Sequence, residues 1–390
     1  MHFAVPFSYP VCFVNDAFGA DDETLVGMFQ ASAGTPRARV LCFADAGVVA
    51  AQPDLVARVH AYFARHVERV DLVAEVVLLP GGEAAKQDPD ALQEAQRLLA
   101  RHHIDRHSYC LAIGGGAFLD VLGFAAATVH RGVRLVRMPS TVLAQNDAGI
   151  GVKNGINAFG QKNFLGSFAP PFAVVNDVSL LRSLNPRDRR AGMAEAIKVA
   201  LIRDASFFDW LCDNSRALAA FEGPVVATMV RRAAELHLDH IETGGDPFEA
   251  GSSRPLDFGH WAAHKLEGLT HHALRHGEAV AIGIALDSLY SAASGWLPTH
   301  DAERVVTLIE ALGLPTYHPA LGQKTSTGEL EVERGLAEFR EHLGGELSVT
   351  FLSALGAGVT HHDVDVNLVR QMIDKLARRV GSHAVQAGAP

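Results

Sequence analysis

The sequence predicts a two-part chain, a parallel α/β half followed by a mainly helical half. Three observations predict it. Short apolar runs alternate with amphipathic stretches in the first half, one of those runs leads into a triple glycine, and beyond about residue 176 the apolar spacing turns helical. At roughly 100–200 residues per domain, 390 residues make two or three domains. With 48% hydrophobic and 20% charged residues the chain can bury a large core, which excludes wholesale disorder.

The elements follow in order. Val11 to Val14 and Arg39 to Ala44 read as strands, Pro53 to Val67 as a helix, and Val73 to Leu79 as the next strand. Ser108 to Ile113 is another strand, running into Gly114-Gly115-Gly116 and a small-residue helix through Thr128. Val133 to Met138 and Phe172 to Val175 complete the set, and strands separated by helices imply a parallel sheet. The segment between those last two is rich in glycine, asparagine and serine without periodicity, so a long functional loop is expected there. Pro170-Pro171 and Asn185-Pro186 flank the change of pattern, giving expected domains at 1–175 and 176–390. Beyond it Arg187 to Arg203, Ala205 to Leu218, Pro224 to His240, Gly259 to Leu269, Glu278 to Gly295, Asp301 to Leu312 and Asn367 to Arg379 all carry helical spacing.

Charge and cysteine usage narrow the function classes. Forty-four acidic against 34 basic residues give a net charge of −10, which repels a phosphate backbone, so nucleic acid is not an expected partner. Cys12, Cys42, Cys110 and Cys212 lack paired spacing, which argues against a disulfide framework and fits a reducing cytoplasm. The N-terminal residues have no basic start before an apolar run, and no run reaches membrane-spanning length.

Four places can carry chemistry. The Gly114 to Gly116 turn lets backbone amides approach a phosphate at a helix N-terminus; a dinucleotide and a ligand-free tight turn are equally compatible. Glu83 and Lys86 follow a strand and read either as a ribose holder or as a solvated ion pair. The stretch from Pro139 to Asn163 collects Asp147, Lys153, Lys162 and several asparagines, which suits an oxyanion-rich small substrate better than a plain surface loop. His260 and His264 stand four apart on one helical face, able to share a metal or merely to pack, with His276 twelve residues on. Glu195 lies in an otherwise small and apolar helix and needs a partner; His237, His240, His271 and His272 are rival ligands.

Taken together, Gly114 to Asp120, Arg131-Gly132, the Pro139 to Asn163 stretch, Ala191 to Lys198, Gly259-His260 with His264, and His276 to Gly283 resemble the dehydroquinate synthase superfamily, the sugar phosphate cyclases. The resemblance runs from about Leu41 to Gly356 and implies a Rossmann-like NAD-binding domain with a helical metal-binding domain. It implies Glu195, His260 and His276 as ligands of zinc or cobalt. It implies NAD contacts for Asp45, Glu83, Lys86, Gly114, Gly115, Gly116, Asp120, Ser140, Thr141, Lys162 and Ser183. Asp147, Lys153, Asn163, Lys198 and His264 match catalytic or substrate-pocket positions, Arg254 and Asp257 are expected beside the substrate, and Arg131 matches an arginine reaching a neighbouring subunit, hence a homodimer. The implied reaction converts a seven-carbon sugar phosphate to a carbocycle with loss of phosphate, NAD being consumed and regenerated within a turnover.

The match is not uniform. The family's asparagine ahead of the first metal histidine is Asp257 here, its threonine is Trp261, and its arginine, as Arg254, is one residue closer. A lysine about two dozen residues upstream gives way to Leu236 to His240, and a late aspartate-lysine-lysine motif to Phe339-Arg340-Glu341-His342. Those cations serve a substrate carboxylate, so a carboxylate-free substrate such as sedoheptulose 7-phosphate, leading to a valiolone-like cyclitol, is expected. The alternatives are 3-dehydroquinate synthase proper, an iron-type polyol dehydrogenase, against which the Lys153 to Asn163 stretch argues, and an inactive NAD-binding regulator, against which the intact ligand set argues.

Overall fold

The computed structural model describes residues 1–159, 161–248, 255–342 and 345–387. The chain divides into two compact units, Met1–Asn185 and Pro186–Pro390. That division lies beyond the expected 175/176 because the last strand extends to Asp177 and the turn Val178–Ser183 after it buries Leu180 in the core of the first unit.

The first unit is built on a sheet of β1 (Val11–Val14), β2 (Ala38–Asp45), β3 (Val70–Leu72), β4 (Val77–Leu79), β5 (Tyr109–Gly114) and β6 (Arg134–Pro139), closed by β9 (Ala173–Asp177). All its pairings are parallel. The strands are near-continuous apolar runs because both faces are covered. Side chains alternate between the faces: Val40, Cys42 and Ala44 enter one core cluster with Tyr109, Leu111 and Ile113, while Leu41 and Phe43 enter the other with Cys110 and Ala112. Of the strand expected over Val73 to Leu79 only Val77–Leu79 forms, as β4; a further short strand, β3, precedes the expected range, and both pair with β2. All four cysteines are unpaired.

The expected loop between β6 and the closing strand is ordered. A tight turn, Ala144–Ala148, leads into an antiparallel hairpin of β7 (Lys153–Ala158) and β8 (Gln161–Phe168). Its polar composition hid a fold organised from beneath by Arg137 of β6. That guanidinium is fully buried and donates to the carbonyls of Gly149 (3.2 Å), Gly151 (2.7 Å) and Lys153 (3.2 Å) and to Asn154 Oδ1. A buried arginine satisfied by backbone oxygens ties the loop to the sheet.

The second unit is helical apart from a hairpin of β10 (Val349–Ala354) and β11 (Ala357–His361), which the apolar spacing did not reveal. The expected helix over Ala205 to Leu218 breaks at Asn214 into Ala205–Asp213 and Ser215–Ala219, and that over Arg187 to Arg203 breaks at Gly192. The helix His276–Ala293 is buried on every side from Ala279 to Ser291, as befits the centre of a helical core. No helix among the described residues is long and apolar enough to cross a membrane.

Replacing Arg137 with methionine strands two buried carbonyls, one partly buried carbonyl and one buried amide oxygen. At about 1–3 kcal/mol for each buried group left unpaired, the variant should lose at least about 3 kcal/mol of stability in urea unfolding, and an unchanged midpoint would refute this account of the loop.

Candidate active site

Strand order in the first unit reverses between β2 and β5: the chain leaves β2 toward β3 and β4 on one side, and leaves β5 toward β6 on the other. In open parallel sheets ligands sit at the carboxyl ends of the strands flanking such a reversal. Asp45 ends β2 there, and Gly114 to Gly116 join β5 to the helix Gly116–Thr128. Asp45 accepts from the Gly47 amide at 2.8 Å; burial raises its pKa, and amides including that of Gly115 oppose the rise. Ser140 is buried, its amide bonded to Gly114 O at 2.9 Å, and Thr141 Oγ1 accepts from Ala144 N at 3.1 Å.

The Glu83 and Lys86 pair belongs to a network rather than to solvent. Lys86 is buried, donates to Asp120 Oδ2 at 2.6 Å and also reaches Asn163 of the hairpin. Burial raises the pKa of Asp120, and Lys86 holds against that rise. Glu83 accepts from Asn157 Nδ2 at 2.8 Å and lies 4.0 Å from Lys162. Asp147 sits in the Ala144–Ala148 turn and Lys153 is exposed at the start of β7. Ser183 makes a separate contact, accepting from Gln52 at 2.8 Å. Arg131 is exposed beyond the far end of the Gly116–Thr128 helix, about 20 Å from the glycine turn at 1.5 Å per residue.

In the second unit Glu195, His260 and His276 converge, with one ligand atom from each lying within 4.8 Å of the others. Glu195 Oε1 is 3.7 Å from His260 Nε2 and 3.4 Å from His276 Nε2. Ligands about 2.0–2.1 Å from a tetrahedral ion stand roughly 3.4 Å apart, so the three atoms fit a small divalent cation. One carboxylate and two imidazoles are the donor types that zinc-like ions take. Lys198, three residues from Glu195 on a helix buried from Met193 to Ile202, pairs with its other oxygen. The rivals His237, His240, His271 and His272 lie outside this group. Asp257 is partly exposed in the turn Pro255–Asp257, and Arg254 lies outside the described residues.

Both imidazoles are oriented. His260 Nδ1 lies 3.1 Å from Phe258 O, and a carbonyl can only accept, so Nδ1 carries the proton and Nε2 presents its lone pair to the triad. His276 Nδ1 meets Glu267 Oε2 at 3.3 Å. Desolvation alone would lower the His276 pKa, but bonds to Glu195 and Glu267 outweigh it and raise it to about 10. The pocket therefore demands a positive charge, which a proton supplies when no metal does. Burial and Lys198 lower the pKa of His260; burial and the two neighbouring imidazoles bring His264 down to about 3. His264 completes the histidine cluster, its ring centroid 5.4 Å from that of His260 and 6.3 Å from that of His276.

Sequence reasoning missed Glu267, Arg137 and Asp287. Glu267 stands seven residues after His260 on the same helical face, a signal that spacing could have revealed. Arg137 sits in an apolar strand and Asp287 in an apolar helix, and an isolated charge in such a run needs a partner.

A glycine-turned parallel α/β unit followed by a helical unit with one acid and two histidines is the architecture of the sugar phosphate cyclases. Residues 75–191 match the family model of the 3-dehydroquinate synthase N-terminal domain, and residues 192–332 that of its C-terminal domain. A 3-dehydroquinate synthase of Bordetella pertussis (strain Tohama I) is 35% identical over 323 residues, 83% of this chain and 86% of that protein. The chain belongs to the 3-dehydroquinate synthase family. Its fold is also that of a 2-epi-5-epi-valiolone synthase from Streptomyces hygroscopicus subsp. jinggangensis 5008, solved with NAD+ and Zn2+ bound (TM-score 0.85, 28% identity, 97% of this chain and 99% of that one). A 2-deoxy-scyllo-inosose synthase solved with carbaglucose-6-phosphate, NAD+ and Co2+ shares the fold at 21% identity (TM-score 0.74, 93% and 95% covered).

Two outcomes follow from the triad. Metal must displace the proton that holds His276 near a pKa of about 10, so its binding should release about one proton per site at pH 8, and affinity should rise about tenfold per pH unit up to about pH 10. Calorimetry in buffers of different ionisation enthalpy measures this, and pH-independent affinity would contradict it. Glu267→Gln should weaken metal binding about 10–100-fold, read by chelator competition.

Proposed function

We propose that the protein is an NAD- and divalent-metal-dependent sugar phosphate cyclase, a phosphate-releasing lyase that converts sedoheptulose 7-phosphate to a valiolone-like cyclitol. The observation that carries the substrate assignment is the charge pattern around the histidine cluster. Glu195 and Glu267 are buried there and Asp257 lies three residues before His260, while the two places where the family resemblance implies cations hold Leu236 to His240 and a buried Phe339. Arg340, beside Phe339 on the helix Arg334–His342, is exposed, and Lys265 of the helix His260–Leu269 is paired with Glu338 at 2.5 Å. A substrate carboxylate would lose its hydration without an implied partner, at a cost of several kcal/mol, whereas a neutral ketose end would not.

Zinc or cobalt held by Glu195, His260 and His276 would polarise a substrate oxygen. NAD held at the Asp45 and Gly114 to Gly116 end of the sheet, with Glu83, Lys86, Asp120, Ser140, Thr141, Lys162 and Ser183 as its further contacts, would take up one hydride and return it. The chain's own groups do the rest. Lys198 pairs with Glu195. Glu267 and the Phe258 carbonyl hold the two imidazoles in the ligating orientation, and His264, kept neutral by burial, lies beside them as a pocket residue. Lys153 and Asn163 would bind the phosphate and Asp147 a hydroxyl, in a loop anchored by Arg137. Arg131, about 20 Å from its own glycine turn, would serve the site of a second copy in a homodimer.

A second reading, 3-dehydroquinate synthase proper, is favoured by the 35% identity to curated members of that name. Phosphate release from metal-loaded protein with catalytic NAD separates the two. Sedoheptulose 7-phosphate should be turned over and 3-deoxy-arabino-heptulosonate 7-phosphate not. The reverse result would establish the second reading, and net reduction of added NAD would indicate a dehydrogenase. Chelation should abolish release in either case.

A further inference from the structure

Trp261 stands where the family resemblance implies a threonine, and Asp287 is an acid with no solvent exposure inside the stretch of the helix His276–Ala293 that is buried from Ala279 to Ser291. The two meet. Trp261 Nε1 donates to Asp287 Oδ1 at 2.9 Å, and the Gly259 amide donates to Asp287 Oδ2 at 3.1 Å. The residue between these two donors is His260. We propose that Asp287 is a positioning residue of the metal centre, gripping the chain on both sides of His260 and setting that ligand's distance from His276.

The helix itself supports this. His276, Val280, Gly283 and Asp287 recur at steps of four, three and four, so they form one stripe of the helix His276–Ala293. One end of the stripe is a ligand, and the other end holds the neighbours of the second ligand. Between them Gly283 lies so close to Gly259 that an added Cβ would sit 1.9 Å from Gly259 O. Gly259 has φ +78°, and its own added Cβ would lie 2.8 Å from Ile284 N. Two backbones in contact at one point can still pivot, and the pair of bonds to Asp287 supplies the second point of attachment. An acid is an expensive way to fill a core, since burial pushes its pKa up to about 8 and only the indole and the amide oppose this. A packing role would be met more cheaply by leucine.

The inference rests on the reading of Glu195, His260 and His276 as metal ligands, and the test separates the two. Full-length protein is stripped with a chelator and titrated with Co2+, recording the visible ligand-field spectrum, affinity by chelator competition, and thermal unfolding of the metal-free form. Asp287→Asn and the milder Trp261→Phe, which keeps the acid, should weaken Co2+ binding about 10–100-fold and alter the spectrum. Ser291→Ala is the control. Its hydroxyl donates to the Asp287 carbonyl at 2.6 Å and accepts from Leu352 N, so its loss should lower the melting temperature while leaving spectrum and affinity unchanged. If Trp261→Phe and Asp287→Asn behave like Ser291→Ala, or if Asp287→Asn fails to fold and Trp261→Phe leaves the cobalt centre unaltered, the positioning role is wrong. Should Glu195→Gln bind Co2+ as tightly as the parent, the ligand reading fails instead.

Discussion

Two carboxylates buried in a helical core, Glu195 and Glu267, are the constraint on which the second unit depends. Neither can be left as an isolated charge, because removing an ion from water costs several kcal/mol even after the protein relaxes around it. The fold answers with cations and donors at close range: Lys198 on Glu195, His276 between both acids, and His260 nearby. The arrangement remains one positive charge short of comfort, which is why His276 holds its proton so tightly. A site with that electrostatic deficit is pre-organised for a divalent ion, and its acids are as much a cause of the helix packing as a product of it.

The first unit solves the opposite problem, a cation in an apolar layer. Arg137 points out of a strand whose neighbours are buried, and it is held by the carbonyl oxygens of a loop, with the charge of Asp120 also acting in its favour. The loop gains an anchor and the guanidinium gains acceptors. This makes the segment that bears Asp147 and Lys153 part of the sheet's own structure. The same logic governs Lys86, whose ammonium joins the helix Gly116–Thr128, through Asp120, to the hairpin, through Asn163. Residues that read as separate features along the sequence thus form one network because a buried charge recruits every polar group within reach.

Much of this was legible in the sequence. Short apolar runs marked β2, β5 and β6, because strands covered on both faces need little polar character. The acid in an apolar helix singled out Glu195 and the i, i+4 spacing singled out His260 and His264, while the set of Glu195, His260 and His276 came from the family resemblance. What stayed hidden did so for physical reasons. The hairpin of β7 and β8 is exposed along nearly its whole second strand, so burial imposed no alternation on it. The placing of β3 ahead of the expected strand and the shortening of that strand to β4 depend on pairing with β2, a long-range choice that a local window does not contain. Glu267 and Asp287 were visible as residues but not as partners, since their meaning lies in what another helix brings against them.

That last point bears on how departures from a family pattern should be weighed. Trp261 alone would bury an indole N–H without an acceptor, at about 1–3 kcal/mol, and Asp287 alone would bury an acid with one fewer donor. Together each removes the other's penalty, so the two are energetically a single change, and their effects on stability and on metal binding must be strongly non-additive. A tryptophan beside a metal ligand therefore reports first on how the ligand is held. The substitutions that report on the substrate are the replacement of an implied lysine by Leu236 to His240 and of an implied aspartate-lysine-lysine motif by Phe339-Arg340-Glu341-His342. These alter what the site can attract without repairing anything else in the fold, and it is on them that the assignment of a carboxylate-free substrate rests.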